Sequence, residues 1–77
     1  MGNLVEVIAK ALVSKPEEVQ VTEENEDGVI VVKLRVADED TGKIIGKSGR
    51  IAKAIRTVVR AAAIKQDVRV TVEIIED

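Results

Sequence analysis

The apolar residues at the start of the chain recur at the spacing of an amphipathic helix: Leu4, Val5, Ile8, Ala11 and Leu12. Asn3 stands before them as a predicted helix cap, and Glu6 lies three residues further on, where a capping box places its acid. Pro16 disfavours helical geometry in the residue before it, so we expect this helix to end near Ser14 or Lys15.

Two runs that follow alternate between apolar and polar residues, as strands do. Residues 19–22 form a short run, and residues 29–36 form a longer one rich in β-branched side chains. The polar stretch between them, residues 23–28, ends in Asp27-Gly28, which is a strong turn signal. This pattern predicts a β-hairpin.

The second half of the chain predicts two helices and a final strand. Asp38 can cap a short helix that ends at Gly46, and a longer helix begins at Gly49 or Arg50 and ends near Lys65. In the longer helix we expect Ile51, Ile55, Val58 and Ala62 to face the core, with Arg50, Lys53, Arg56 and Arg60 on the opposite side. Residues 68–74 alternate again. The predicted fold is α+β in the order α-β-β-α-α-β, a three-stranded sheet with three helices packed largely on one face.

Composition restricts the function of these 77 residues, which we expect to form one domain, 1–77. The absence of Cys excludes disulfides and thiolate metal sites, and the absence of His removes the commonest general base and metal ligand. There is no aromatic residue to stack against a base. We see no signal peptide and no apolar run near the ~20 residues of a membrane span, so we expect a cytoplasmic protein with no membrane partner and no cofactor.

Charge is unevenly distributed along the chain, although the net charge is only −2. Residues 1–40 carry 4 basic and 10 acidic side chains, whereas residues 41–66 carry 7 basic and no acidic ones. Residues 67–77 carry 1 basic and 4 acidic side chains. A basic middle in an acidic chain is typical of a polyanion-binding surface, and an ordinary solvated helix face is the alternative.

The glycines of the basic stretch suggest a phosphate site. Gly46-Lys47-Ser48-Gly49 lies between the two predicted helices, where paired glycines permit a tight turn and close approach of a ligand. The amide groups at the start of the following helix favour an anion. We expect Lys43, Lys47 and Arg50 to converge on this turn. A plain corner between two helices, closed by Gly46, remains the alternative reading of the four residues alone.

The residues around this turn extend the pattern. Gly42-Lys43-Ile44-Ile45-Gly46-Lys47-Ser48-Gly49-Arg50, followed by Ala54-Ile55-Arg56-Thr57, resembles the type II, prokaryotic KH domain, and in particular the stand-alone bacterial KH proteins of the KhpA family. In KH domains a G-x-x-G loop clamps the backbone of about four nucleotides. The resemblance implies single-stranded RNA binding, by a small RNA chaperone or post-transcriptional regulator, through Lys43, Gly46, Lys47, Ser48, Gly49, Arg50, Lys53 and Arg56. It also implies an apolar groove, for which Ile44 and Ile51 are candidates unless they belong to the core.

Two other functions are alternatives to RNA binding. Nucleotide hydrolysis is disfavoured because three residues, rather than the four of a P-loop, separate Gly42 from Gly46-Lys47-Ser48. The acids at residues 38–40 are expected to be solvated helix-start residues without metal-loop spacing, so we predict no enzyme. A protein-interaction module is the alternative: a homodimer through Val58, Val59, Ala62 and Ala63, or, as the resemblance implies, a complex with a larger multidomain KH protein.

Overall fold

The computed structural model describes the backbone of residues 1–75 and the side chains of residues 1–46 and 49–75. The elements are α1 (Gly2–Leu12), a 3₁₀ turn (Pro16–Glu18), β1 (Gln20–Glu26), β2 (Val29–Arg35), α2 (Asp38–Gln66) and β3 (Arg69–Ile74). The predicted α+β fold is confirmed, with the 3₁₀ turn added before the sheet. Within this described part of the chain, no helix is both long and apolar enough to cross a membrane.

The sheet has the strand order β1-β2-β3. β1 and β2 form the predicted hairpin, in which Glu26 pairs with Val29 across a two-residue turn. Asp27 and Gly28 both have positive φ, 53° and 81°, as a type I′ turn requires. Because this turn needs only two residues, residues 23–26 belong to β1 rather than to the predicted polar loop. β3 pairs with β2 in parallel and leaves its own outer edge free of a further strand in the described sheet.

The core lies on one face of the sheet, where the alternation of the strands places their apolar residues. Val32 and Leu34 of β2 are fully buried, and Val72 of β3, the parallel partner of Val32, is buried beside them. α1 adds Val5 and Ala9 to the same cluster, and α2 adds Ile44, Ala52, Ile55 and Val59. Both helices therefore cover the same face of the sheet, as predicted.

The two predicted helix caps are wrong. Met1 precedes α1, and the helix N-terminus is held from the sheet instead: the Gly2 N–H donates to Glu23 Oε1 at 3.1 Å, and the terminal ammonium lies 3.3 Å from the same carboxylate. A carboxylate at this position compensates the positive end of the helix dipole. Ala37 precedes α2, so Asp38 is the first helical residue rather than its cap.

The buried side of α2 is rotated from its predicted position. Ile55 is buried as expected, but its buried neighbours are Ala52, Val59 and Ala63, whereas Val58 is 44% exposed. The apolar side of this helix is wider than the part of it that can face the sheet. The small side chains of Ala52 and Ala63 allow the helix to lie close to the sheet. Val59 and Ala63 are thus core residues, which corrects their assignment to a dimer surface.

Candidate nucleic-acid interface

The chain at residues 46–49 is a bend rather than the predicted loop between two helices. The helical assignment of α2 runs through it for 29 residues. Gly49, however, has a φ of 66°, in the left-handed region that a regular right-handed helix does not contain. A straight helix of this length would be about 43 Å long. The longest principal dimension of the molecule is 34 Å. Two helical segments, 38–48 and 50–66, therefore meet at Gly49.

The two glycines of the motif have different structural roles. Gly49 adopts a conformation that a residue with a Cβ rarely accepts, whereas Gly46 does not have a positive φ. A Cβ at either position would meet no surrounding atom within 4 Å, so neither glycine is required for close internal packing. Of these two positions, only residue 49 has a backbone conformation that requires glycine. The predicted contacts of Lys47 and Ser48 lie outside the described residues, since their side chains are not described.

The cations of segment 50–66 lie on the solvent side, as predicted. Arg50, Lys53 and Arg56 are exposed. Helical spacing places three cations in one row along the helix that starts at Gly49. These are Lys53, Arg56 and Arg60, which follow Gly49 at successive intervals of four, three and four residues. Within residues 1–46 and 49–75, no carboxylate forms an ion pair with any of these cations. This row presents unneutralised positive charge from the bend onward.

Lys43 has a partner inside the protein. Its Nζ donates to Ser14 Oγ at 2.9 Å, at the turn that follows α1. Lys43 is exposed, but this hydrogen bond directs it to the end of α1 and sets it apart from the row that starts at Gly49. Of the predicted cations with described side chains, the structure therefore groups Arg50, Lys53 and Arg56, and places Lys43 in a separate contact.

Asp40 is not the solvated acid that its position in the sequence suggested. It is only 1% exposed, and its carboxylate accepts hydrogen bonds from the Ser14 N–H at 2.9 Å and the Lys15 N–H at 3.1 Å. The Ser14 hydrogen bond is the main cause that lowers the pKa of Asp40, although burial opposes it. Glu39 turns outward and lies 2.6 Å from Lys15 Nζ, which raises the pKa of Lys15. Among the described residues, no three acids converge as metal ligands.

A groove of about 390 Å³ lies between segment 50–66 and β3. Arg56 and Arg60 line it from the helix, and Arg69 lines it from the strand. Arg69 was not predicted as a site residue, because the alternation of β3 places it on the face opposite the core residues Val70 and Val72. Of the two apolar groove candidates, Ile44 is a core residue with 1% exposure and Ile51 is half-buried against the core.

Comparison with known proteins gives a consistent result over nearly the whole chain. A family model described as "KhpA/KhpB, KH domain" matches residues 2–74. A protein named RNA-binding protein KhpA from Clostridium perfringens is 61% identical over 75 residues, which are 97% of this chain and all of that protein. A protein of the same name from Listeria monocytogenes is 50% identical over 76 residues, 99% of this chain and all of that protein. No solved structure matches this chain significantly.

Proposed function

The chain belongs to the KhpA/KhpB family of KH domains, and on that premise we propose that it binds single-stranded RNA at the bend around Gly49. The relatives it matches carry the name RNA-binding protein. The observation that carries the proposal is the left-handed Gly49 followed by exposed cations without an ion-pair partner among the described residues. In residues 1–40, all of which the structure describes, the lysines contact carboxylates instead.

Phosphate binding follows from the chemistry of the bend. We expect the left-handed Gly49 to interrupt the helical hydrogen bonds, so that the segment after it begins with amide groups available to an anion. Such groups and the helix dipole favour a phosphate oxygen. Arg50 is the first side chain after the bend, and a guanidinium donates two parallel hydrogen bonds to phosphate. Lys53 and Arg56 continue the positive field, and we assign Lys47 and Ser48 to the same phosphate contacts.

Base recognition is expected to be weak. Aromatic side chains, on which RNA bases usually stack, are absent from the chain. Phosphate contacts set the position of a nucleic acid but carry little information about its sequence. The proposed function is therefore RNA binding with modest affinity and weak sequence preference. Such binding suits an RNA chaperone or a post-transcriptional regulator better than a reader of one defined sequence.

The experiment that tests this proposal reverses charge at the bend. We expect Lys47→Asp with Ser48→Asp to abolish binding of a labelled single-stranded RNA in fluorescence anisotropy, with an unchanged circular dichroism spectrum. The control is Val7→Asp with Lys10→Asp on the exposed side of α1. It changes the net charge by the same amount at positions distant in sequence from the bend. Equal RNA affinity of wild type and the bend variant would refute the site.

Self-association is a second candidate function, supported by one observation. Val58 is 44% exposed on α2, and Ala54 and Ala61, at helical spacing from it, are exposed as well. We propose that this strip, with Ala62 at its margin, pairs with a second copy or with the KH domain of a larger multidomain protein. Sedimentation of the wild type as a dimer, and of Val58→Asp as a monomer, would support the homodimer. A monomeric wild type at micromolar concentration would remove it.

A further inference from the structure

The outer edge of β1 is an open sheet edge on the acidic side of the molecule. In the described sheet, β1 pairs with β2 on one side and with no strand on the other. We propose that this edge binds an extended segment of another protein that is rich in lysine or arginine and adds as a fourth strand. The inference goes beyond the proposed function and does not depend on it, because β1 contains no residue of the bend.

The hairpin turn determines which backbone groups of β1 face outward. Glu26 and Val29 are the first and last residues of this turn, and such turns are closed by a hydrogen bond between these two positions. In an antiparallel pair, residues that exchange hydrogen bonds alternate with residues that do not. We therefore expect Val21, Glu23 and Asn25 to direct their N–H and C=O groups toward the open edge, at the two-residue spacing that an added strand matches.

The side chains of β1 select the kind of strand that this edge accepts. The strand contains three glutamates, Glu23, Glu24 and Glu26, and neither of the residues that commonly block an edge, lysine and proline. Glu24 and Glu26 are exposed, and Asp27 follows them in the turn. Opposite charges on neighbouring strands attract each other and like charges repel. A cationic strand therefore fits this edge, and an acidic strand or RNA does not.

A cavity of about 250 Å³ lies between the start of α1 and β1. Glu6 lines it from the helix, and Val21 and Glu23 line it from the strand. The side chains of Glu6 and Glu23 are 39% and 45% exposed. A carboxylate has about four acceptor sites, so both can accept hydrogen bonds beyond their contacts with Lys10 and the terminal ammonium. Because an added strand places every second side chain on this side of the sheet, a lysine or arginine there can reach both carboxylates.

A second copy of this chain is the rival occupant of the edge. Two β1 strands paired antiparallel about their centre would place Glu23 directly opposite its own copy, with Glu24 and Glu26 close by. Like charges directly opposite each other destabilise a strand pair. The same glutamates thus disfavour self-pairing and favour a cationic strand.

The test starts from a labelled peptide of alternating lysine and valine that has the seven-residue length of β1. We expect fluorescence anisotropy to show that it binds the wild type, whereas a peptide of alternating glutamate and valine does not. A third peptide, with proline in place of each valine, keeps the positive charge but lacks the N–H group at every second residue. It should bind at least about tenfold more weakly, because it cannot pair fully with a strand edge.

Two matched protein variants test the contribution of charge at the edge. The edge variant is Glu24→Gln with Glu26→Gln, and the control, Glu17→Gln with Glu18→Gln, removes the same charge from the exposed 3₁₀ turn. We expect the edge variant to bind the lysine–valine peptide about three- to tenfold more weakly, since each exposed cross-strand charge pair contributes modestly. The control should stay within about twofold of the wild type, because distant charges are screened.

Amide hydrogen exchange, measured by NMR, reports the backbone pairing itself. Bound lysine–valine peptide should slow exchange at Val21, Glu23 and Asn25 and leave Thr22 and Glu24 unchanged, because the latter two are expected to donate to β2 already. The inference is overturned if this peptide does not bind, if the proline peptide binds equally well, or if the three amides gain no protection. Protection of the same three amides in a peptide-free dimer assigns the edge to a second copy instead and also overturns it.

Discussion

The cations of the acidic half of the chain and those that follow the bend differ in what they contact. Lys10 lies 2.8 Å from Glu6, and Lys33 lies 3.1 Å from Glu24, which raises the pKa of Lys33. Lys15 is paired in the same way with Glu39. After the bend the exposed cations have no carboxylate within ion-pair distance in the described part of the chain: Arg50, Lys53, Arg56, Arg60, Lys65 and Arg69.

This difference shows that position in the fold, rather than net charge, decides which charges are available to a ligand. Exposed ion pairs contribute little to stability, and a cation that is already paired must exchange its partner to bind a phosphate. Unpaired cations along one helix repel each other in the free protein, and a polyanion relieves that repulsion. A protein with a net charge of −2 can therefore present a strongly positive surface on one side.

The largest expected effect comes from reversing charge on the unpaired side. Arg50→Glu with Lys53→Glu should lower RNA affinity by about 100-fold, equivalent to ~2.7 kcal/mol, because two attractive contacts become repulsive. Anisotropy titrations at low salt measure this change. Thermal unfolding should be nearly unaffected, since both side chains are exposed.

The matched variant on the paired side is Lys10→Glu with Lys33→Glu, which changes the net charge equally. We expect its RNA affinity to stay within about threefold of the wild type, because only screened long-range repulsion is added. Similar losses in the two variants would mean that net charge alone controls binding, and the comparison between the two regions would fail.

Substitution of the two glycines gives the next largest effect, at the point where the regions meet. Gly49→Ala should lower the free energy of unfolding by about 1–2 kcal/mol, because alanine is strained in the left-handed region. Gly46→Ala should leave stability unchanged or raise it by up to ~1 kcal/mol, as expected for alanine in a helix. Chemical denaturation measures both values. Equal destabilisation by the two substitutions would contradict the assignment of the bend to Gly49.

Gly46→Ala, which should not destabilise the fold, tests how closely RNA approaches the backbone. If the sugar-phosphate chain approaches the backbone at Gly46, Gly46→Ala should weaken RNA binding although the fold is at least as stable. Wild-type affinity in this variant would show that the ligand does not come close to residue 46.

Asp40 gives an effect of pH that is confined to the acidic half of the molecule. Its pKa is lowered by the N–H groups it accepts, so its stabilising contribution is present above the ordinary value of 3.8 and is lost as the pH falls through the lower folded-state pKa. Asp40→Asn should lower the melting temperature at pH 7, and the difference from the wild type should shrink below about pH 4. A difference that is independent of pH down to pH 2 would argue against this linkage.

The smallest effect is expected for an exposed ion pair on the paired side. Glu6→Gln should lower the free energy of unfolding by about 0.3–0.5 kcal/mol through the loss of its contact with Lys10 one helical turn away. The difference should vanish in 1 M salt, where the screening length is only about 3 Å. A loss that persists in high salt would indicate a role other than charge pairing.

Local spacing along the chain was sufficient to predict most of the architecture. Strand residues alternate because successive side chains point to opposite faces, and Val32, Leu34 and Val72 are accordingly buried on one side. The Asp27-Gly28 turn and the cationic side of segment 50–66 follow from residue type and helical period in the same way. These features depend on neighbours within a few residues, which the sequence contains directly.

Contacts between distant residues were decided only by the tertiary structure. Which part of the wide apolar arc of α2 faces the sheet depends on the fit between the two surfaces, so Val59 is buried and Val58 is not. Asp40 is buried because the turn after α1 brings two N–H groups to it from 25 and 26 residues away. Arg60 and Arg69 line one groove because β3, which pairs in parallel with β2, packs against α2. A sequence determines the periodicity of each element, but the pairing of surfaces arises only when the elements pack together.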